Sequence, residues 1–281
     1  MLRKNNRAWL YPYTAERNYQ RMLTAMVKTM EAETNATLKR LQLLRVDDWS
    51  DDLTAAILFL FNSTLAIGRS ITLRLPEVYA QVNQFNDKQW RLVVKAGTGV
   101  DIGPSGAIPH GMVPYGSVSH PSVIRARFGV GVDVYRSEPW LAQSQANWVA
   151  NNAALIKNIP EQYMGRVEGI IRNGVMNGES PKSLAKKIQD AGGITENRAK
   201  LIATDQIGKA NGELTKNRQM ELGIKDYTWK TSRDERVRPL HQARQDVEFS
   251  WDKPPSDGHP GMPIRCRCHA SPIFPPAGTV T

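Results

Sequence analysis

The stretch Ser180–Gly223, "SPKSLAKKIQDAGGITENRAKLIATDQIGKANGELTKNRQMELG", decides the fold class. Ser180 stands where an N-cap belongs, Pro181 occupies the first helical position, and Gly192 follows the last periodic residue of that helix. The same grammar then repeats, with Thr195 as N-cap and Gly223 as stop. Within the second part, Ala199, Ala203, Ile207, Ala210 and Leu214 recur at three- and four-residue steps. That stripe is buried on one helix face, and its small side chains let another element approach closely. Just upstream, "EQYMGRVEGIIRNGVMNG" (Glu161–Gly178) sets Tyr163, Val167, Ile170 and Ile171 on one face. Three consecutive helices are therefore expected before Ile224.

Towards the N-terminus the helical reading continues. In "NYQRMLTAMVKTMEAETNATLKRLQLL", Tyr19, Met22, Leu23, Met26, Val27 and Met30 form one stripe, and its methionines read as adaptable core packing. Asp51 and Asp52 suit a helix N-terminus ahead of "LTAAILFLFNSTLAIG", Leu53–Gly68. This apolar run falls short of the roughly 20 residues needed to cross a bilayer and contains Asn62, Ser63 and Thr64, so it reads as a buried core helix. No stable membrane insertion is expected. Lys95–Val123 is rich in Gly, Pro and Ser and reads as a long loop in which His110 and His120 are exposed. The expected organisation is a helical region over 1–94, a Gly/Pro-rich loop region over 95–140, a helical part over 141–223, and a C-terminal knob and tail over 224–281. The fold class is mainly α with a small, turn-rich α+β knob at the C-terminal end, which a metal would stabilise.

The bulk numbers narrow the partners. The chain has 281 residues and a formal net charge of +10 at pH 7. Such an excess draws it to polyanions, whether nucleic acid or an acidic protein surface, without naming a fold. Only two cysteines are present, so a disulfide scaffold is excluded. The first residues are basic but lack a continuous apolar run behind them, so no signal peptide is expected.

The chemistry concentrates after Ile224. "KDYTWKTS" alternates Tyr227 and Trp229 as a short strand does, and "SPIFPPAGTVT" reads as a tail over the surface. His241, His259, Cys266 and Cys268 supply two imidazoles and two thiolates, the ligand set favoured by zinc, with His269 as a competing histidine. Cys266 and Cys268 at i and i+2 leave one face of an extended segment together. A strained disulfide between them, or two small buried thiols among turn-capping histidines, are the other readings. "RDERVRP" offers Asp234, Arg236 and Arg238 either as an ion-pair network fastening the knob or as catalytic charges beside His241. The proline- and glycine-rich "PGMPIRCRC" is a poor helix, which counts against a His-metal nuclease finger.

The order "YTWKTSRDERVRPLH" followed after a gap by "HPG" and "CRC", preceded by "SPKSLAKKI" and "NRAKLIATDQIGKANG", resembles the phage head morphogenesis family. That family comprises minor head proteins similar to protein F of phage Mu and to the minor capsid protein of phage SPP1. The resemblance covers roughly 161–272. Relatives commonly carry an Arg-Thr-Glu-like triplet where this chain has Ala203, Thr204, Asp205 and Gln206, and an Asp-Gly where "HQARQDVEF" stands. The resemblance implies a virion component rather than an enzyme. Such a protein acts in the capsid interior near the portal vertex after passing through the host cytoplasm during assembly. The implied partners are the portal protein, other capsid or ejection proteins, and packaged double-stranded DNA. Trp229, Asp234, Arg236 and Arg238 are then expected to lock the knob, and His241, His259, Cys266 and Cys268 to hold a structural zinc ion. The alternatives are a metal-dependent nuclease or other DNA-processing enzyme using His241 and Asp234, and a basic DNA-binding protein using "KNNRAW" and the Lys/Arg-rich helices.

Overall fold

The structure is a computed structural model that describes residues 3–4, 10–41, 49–99, 101–104 and 138–274. Most of the Gly/Pro-rich region, His110, His120 and the tail beyond Phe274 lie outside the described residues. Among these residues the chain is mainly helical: α1 (Tyr13–Leu41), α2 (Trp49–Thr72), α3 (Leu75–Thr98), α4 (Leu141–Met176) and α5 (Pro181–Glu221). A short helix α6 (Pro239–Ala243) and four strands make up the rest: β1 (Arg3–Lys4), β2 (Asp226–Lys230), β3 (Glu248–Ser250) and β4 (His269–Phe274). The strands form an antiparallel sheet in the order β1-β4-β2-β3.

Two compact units run discontinuously along the sequence. The first takes residues 1–13, 79–145 and 205–281, and the second takes 14–78 and 146–204. The second unit is all helix. The stripe Tyr19, Met22, Leu23, Met26, Val27 and Met30 on α1 is buried as its period requires. The Tyr19 hydroxyl donates to Asn152 Oδ1 at 2.9 Å, and the Tyr163 hydroxyl to Thr34 Oγ1 at 3.1 Å, so α4 and α1 share polar as well as apolar contacts.

Three expectations are corrected here. Helix α5 is continuous across Gly192 and Thr195, so two helices rather than three precede β2. Thr195 does not cap: it is buried, and its hydroxyl donates back to the Ala191 carbonyl at 2.8 Å, a bond available only inside a helix. Gly192 lies inside α5 against Glu31 of α1, whose flexible side chain would have to move to admit a Cβ. The Leu53–Gly68 run in α2 is not a buried core helix. Ile57 and Leu60 face inward, but Leu58, Phe59 and Phe61 are 58%, 48% and 39% exposed. The run is apolar around its whole circumference, and only one side of it is covered. The helical stretch Asp52–Thr98 that contains it is, by length and composition only, long and apolar enough to cross a membrane. Finally, "SPIF" is no surface tail: Ser271–Phe274 are buried and complete β4, which pairs Thr228 with Ser271 and Trp229 with Ala270. The sheet needs this strand to cover both β2 and β1.

The first unit holds the sheet and the second half of α5. The helix end follows its sequence signal: Gly223 adopts φ +70, and the Ile224 amide donates to the Gln219 carbonyl at 2.9 Å. Trp90, Val93, Val94, Ile102, Leu222, Ile224 and Phe274 make one apolar cluster. A second gathers Tyr227, Trp229, Trp251, Cys266, Cys268 and Ala270, with Phe249 against it. The loop before the cysteines lies directly on α5. A Cβ on Gly208 would stand 2.7 Å from the Cys266 carbonyl oxygen, and one on Gly212 would stand 2.7 Å from that of Pro260. Gly261, at φ +89, meets the same helix face from the other side. Glycine at 208, 212 and 261 therefore permits a backbone-to-backbone contact that any side chain would block.

Candidate metal centre

The short helix α6 begins at Pro239 and turns the His241 ring inward, leaving that residue 2% exposed. Its Nδ1 lies 3.7 Å from Cys266 Sγ and 3.5 Å from Cys268 Sγ. The three donor atoms all fall within 4.8 Å of one another, and all three residues are buried. On the far side of the ring, Nε2 meets Asp257 Oδ2 at 2.9 Å. Arg244 donates to the other oxygen of Asp257 at 2.5 Å and lies 4.9 Å from the centre of the Trp229 ring. Trp229 in turn presents its ring to His241 at 5.2 Å and 65°.

Electrostatics follow the geometry. A hydrogen bond from Cys268 draws the Cys266 thiol down to about 5 against the effect of its burial, and His241 adds to the pull. Cys268 is pushed up by the same hydrogen bond and by burial. His241 is raised by its contact with Cys266, opposed by burial and assisted by Asp257. Burial works against ionising Asp257, but Arg244 and His241 together hold its carboxyl below the usual range. The amides of Gly261 and Cys268 favour the Cys266 thiolate, and the Ser232 amide and Trp229 indole favour that of Cys268. The buried Trp229 Nε1 makes no ordinary hydrogen bond of its own.

The structure brings together His241, Cys266 and Cys268 and places His259 elsewhere. His259 Nδ1 accepts from the Tyr227 hydroxyl at 2.9 Å, and its ring packs 4.8 Å from that of Trp251. Burial, with Lys216 nearby, holds the His259 pKa below its ordinary value. Asp234 serves a local turn, accepting from the Arg236 amide at 3.1 Å, and the carboxylate that meets His241 is Asp257. Arg238 donates to the Ile264 carbonyl at 2.5 Å and ties the segment before α6 to the cysteine loop. Arg236 contributes its amide to the Asp234 turn. Trp229 is completely buried at the centre of the cluster.

Sequence reasoning missed Asp257 and Arg244, because "SDG" reads as a turn and Arg244 as one more surface charge. It also assigned nothing to Asp205. That carboxylate accepts the Arg265 amide at 3.1 Å on one oxygen and Lys209 at 2.7 Å on the other, tying α5 to the cysteine loop.

The family model described as "Phage Mu protein F like protein" matches residues 165–271. Residues 165–271 are thus similar to the phage Mu protein F-like proteins. The matched span contains the whole of α5, the strands β2 and β3 and every residue of the His241 cluster. A protein of Haemophilus influenzae described as uncharacterized is 37% identical over 153 residues, or 54% of this chain and 34% of that protein. The chain thus spans about a third of that relative's length, 34%. No solved structure matches.

Proposed function

We propose that the chain is a minor capsid, or head morphogenesis, protein of a tailed bacteriophage. In this reading it sits in the capsid interior at the portal vertex and aids head assembly, DNA packaging or genome ejection. The observation that carries it is the phage Mu protein F-like match over 165–271. Two physical features support it. The formal net charge of +10 suits a surface that meets densely packed phosphate. The exposed Leu58, Phe59 and Phe61 on α2 suit a protein partner such as the portal, since contiguous apolar surface is seldom left to water.

The test is to purify heads from induced particles of the host that carries the gene. Mass spectrometry of those heads detects the chain in few copies, and portal protein co-purifies with it from disrupted heads. Deleting the gene leaves fewer filled or infectious particles. Intact heads lacking the chain, with normal infectivity after deletion, would overturn the reading. The nuclease alternative gains nothing from the geometry, because Asp234 is used in its own turn and His241 is buried.

A further inference from the structure

We propose that His241 Nδ1, Cys266 Sγ and Cys268 Sγ bind one zinc ion, which fastens the short helix α6 to the segment leading into β4. The inference rests on the geometry of the knob and stands apart from the partners proposed above.

Distances carry the first part of the argument. Zinc holds imidazole nitrogen at about 2.0–2.1 Å and thiolate at about 2.3 Å, so a tetrahedral nitrogen–sulfur edge is about 3.6 Å. The two edges here are 3.7 and 3.5 Å. Hydrogen bonding alone accounts poorly for both. An imidazole nitrogen carries either one lone pair or one proton, yet two sulfurs approach it equally. A cation in the middle satisfies all three donors together.

The surroundings carry the second part. A metal-bound histidine ordinarily gives its other N–H to a carboxylate that fixes the ring, and Asp257 stands 2.9 Å from His241 Nε2, itself held by Arg244. N–H groups of Gly261, Cys268, Ser232 and Trp229 surround the sulfurs, as anionic thiolates require. The Trp229 N–H otherwise lacks a partner. Charge also balances: two thiolates neutralise Zn2+, and Arg244 neutralises Asp257. The buried cluster then carries no net charge into a low-dielectric interior. Without the ion, the same ligands in their binding state would bury two uncompensated negative charges. Among the described residues no fourth His, Cys, Asp or Glu joins the group, so the proposed site takes a light-atom donor from outside this set at its fourth position. Burial of all three ligands makes the site a fastening rather than a point of attack on substrate.

The experiment uses the full-length protein, purified without chelator and measured by elemental analysis. Zinc is expected at one per chain. Cobalt(II) added to demetallated native protein gives thiolate-to-cobalt charge-transfer bands and the intense visible bands of a tetrahedral site. X-ray absorption of the zinc form shows sulfur and light-atom neighbours in equal number. Asp257→Asn weakens zinc about 10- to 100-fold in competition with a chelator. His259→Gln retains zinc, and the paired Cys266→Ser/Cys268→Ser variant loses it. Native protein that is free of zinc and shows no charge-transfer band with cobalt would sink the proposal without any variant having to fold. Zinc retained by the double cysteine variant, or lost from His259→Gln, would overturn the ligand assignment.

Discussion

Two polar clusters are buried in the same structural unit, and they are built in opposite ways. Around Arg218 on α5 every strong group is answered. The guanidinium forks onto Glu138 with two bonds of 2.9 Å and donates to Asn86 at 2.5 Å and Asn83 at 2.6 Å. Asn86 then donates to Asn211 and Thr215. Around His241 the donors converge on a point, two sulfurs facing one nitrogen. A closed network holds a fold by itself, whereas a convergent one waits for something in the middle.

Breaking the closed cluster should have the largest effect. Arg218→Met takes both guanidinium bonds from the buried Glu138 carboxylate and is expected to cost about 3–5 kcal/mol in urea unfolding, while the double change with Glu138→Leu recovers most of that loss. Zinc sharpens the contrast. At about 100 times its Kd it should add about 2.7 kcal/mol to the stability of demetallated native protein. The Arg218→Met deficit should be unchanged by zinc, and equal responses of both clusters to metal would erase the distinction.

A smaller effect is expected at the contact beneath the metal ligands. Gly212→Ala gains helix propensity but drives a methyl onto the Pro260 carbonyl, with only 2.7 Å available. A net loss of about 1–2 kcal/mol and weaker zinc retention should follow, read by thermal unfolding and chelator competition. The smallest effect concerns His259, whose folded-state pKa lies below its unfolded value. The unfolded chain therefore binds more protons, and stability is lost as pH falls below about 6.5 towards the folded pKa, by at most about 1.4 kcal/mol per pH unit. His259→Gln should flatten the slope of the urea midpoint between pH 7 and pH 5. An unchanged slope would place that titration elsewhere.

Local grammar was most legible where one segment decides its own structure. Ser180 accepts from the Ser183 amide at 3.3 Å, Gly223 ends α5 in the left-handed region, and the stripe from Ala199 to Leu214 is buried. The same grammar misled at Gly192 and Thr195, where the helix runs on unbroken and threonine bonds inside it. Burial of α2 was misjudged because composition says that a run is apolar, not whether another element covers it. In the candidate site, His241 and the two cysteines were visible as ligand types, but their spacing did not single out His241 from His259 and His269. Asp257 and Arg244 were not visible, because a carboxylate sixteen residues from its histidine carries no local signal.

The sequence by itself determined the helical character of the chain, the caps and stripes of its long helices, and the two-part signature by which residues 165–271 resemble phage Mu protein F-like proteins. Each of these depends on residues close together in the chain, where dihedral preference and period act directly. Only the tertiary structure decided which histidine joins the cysteines, which carboxylate orients it, and that Ser271–Phe274 is a strand within the sheet. Those outcomes depend on which backbones can approach each other. Here that approach is set by bare glycine backbone at 208, 212 and 261, where the cysteine loop meets α5.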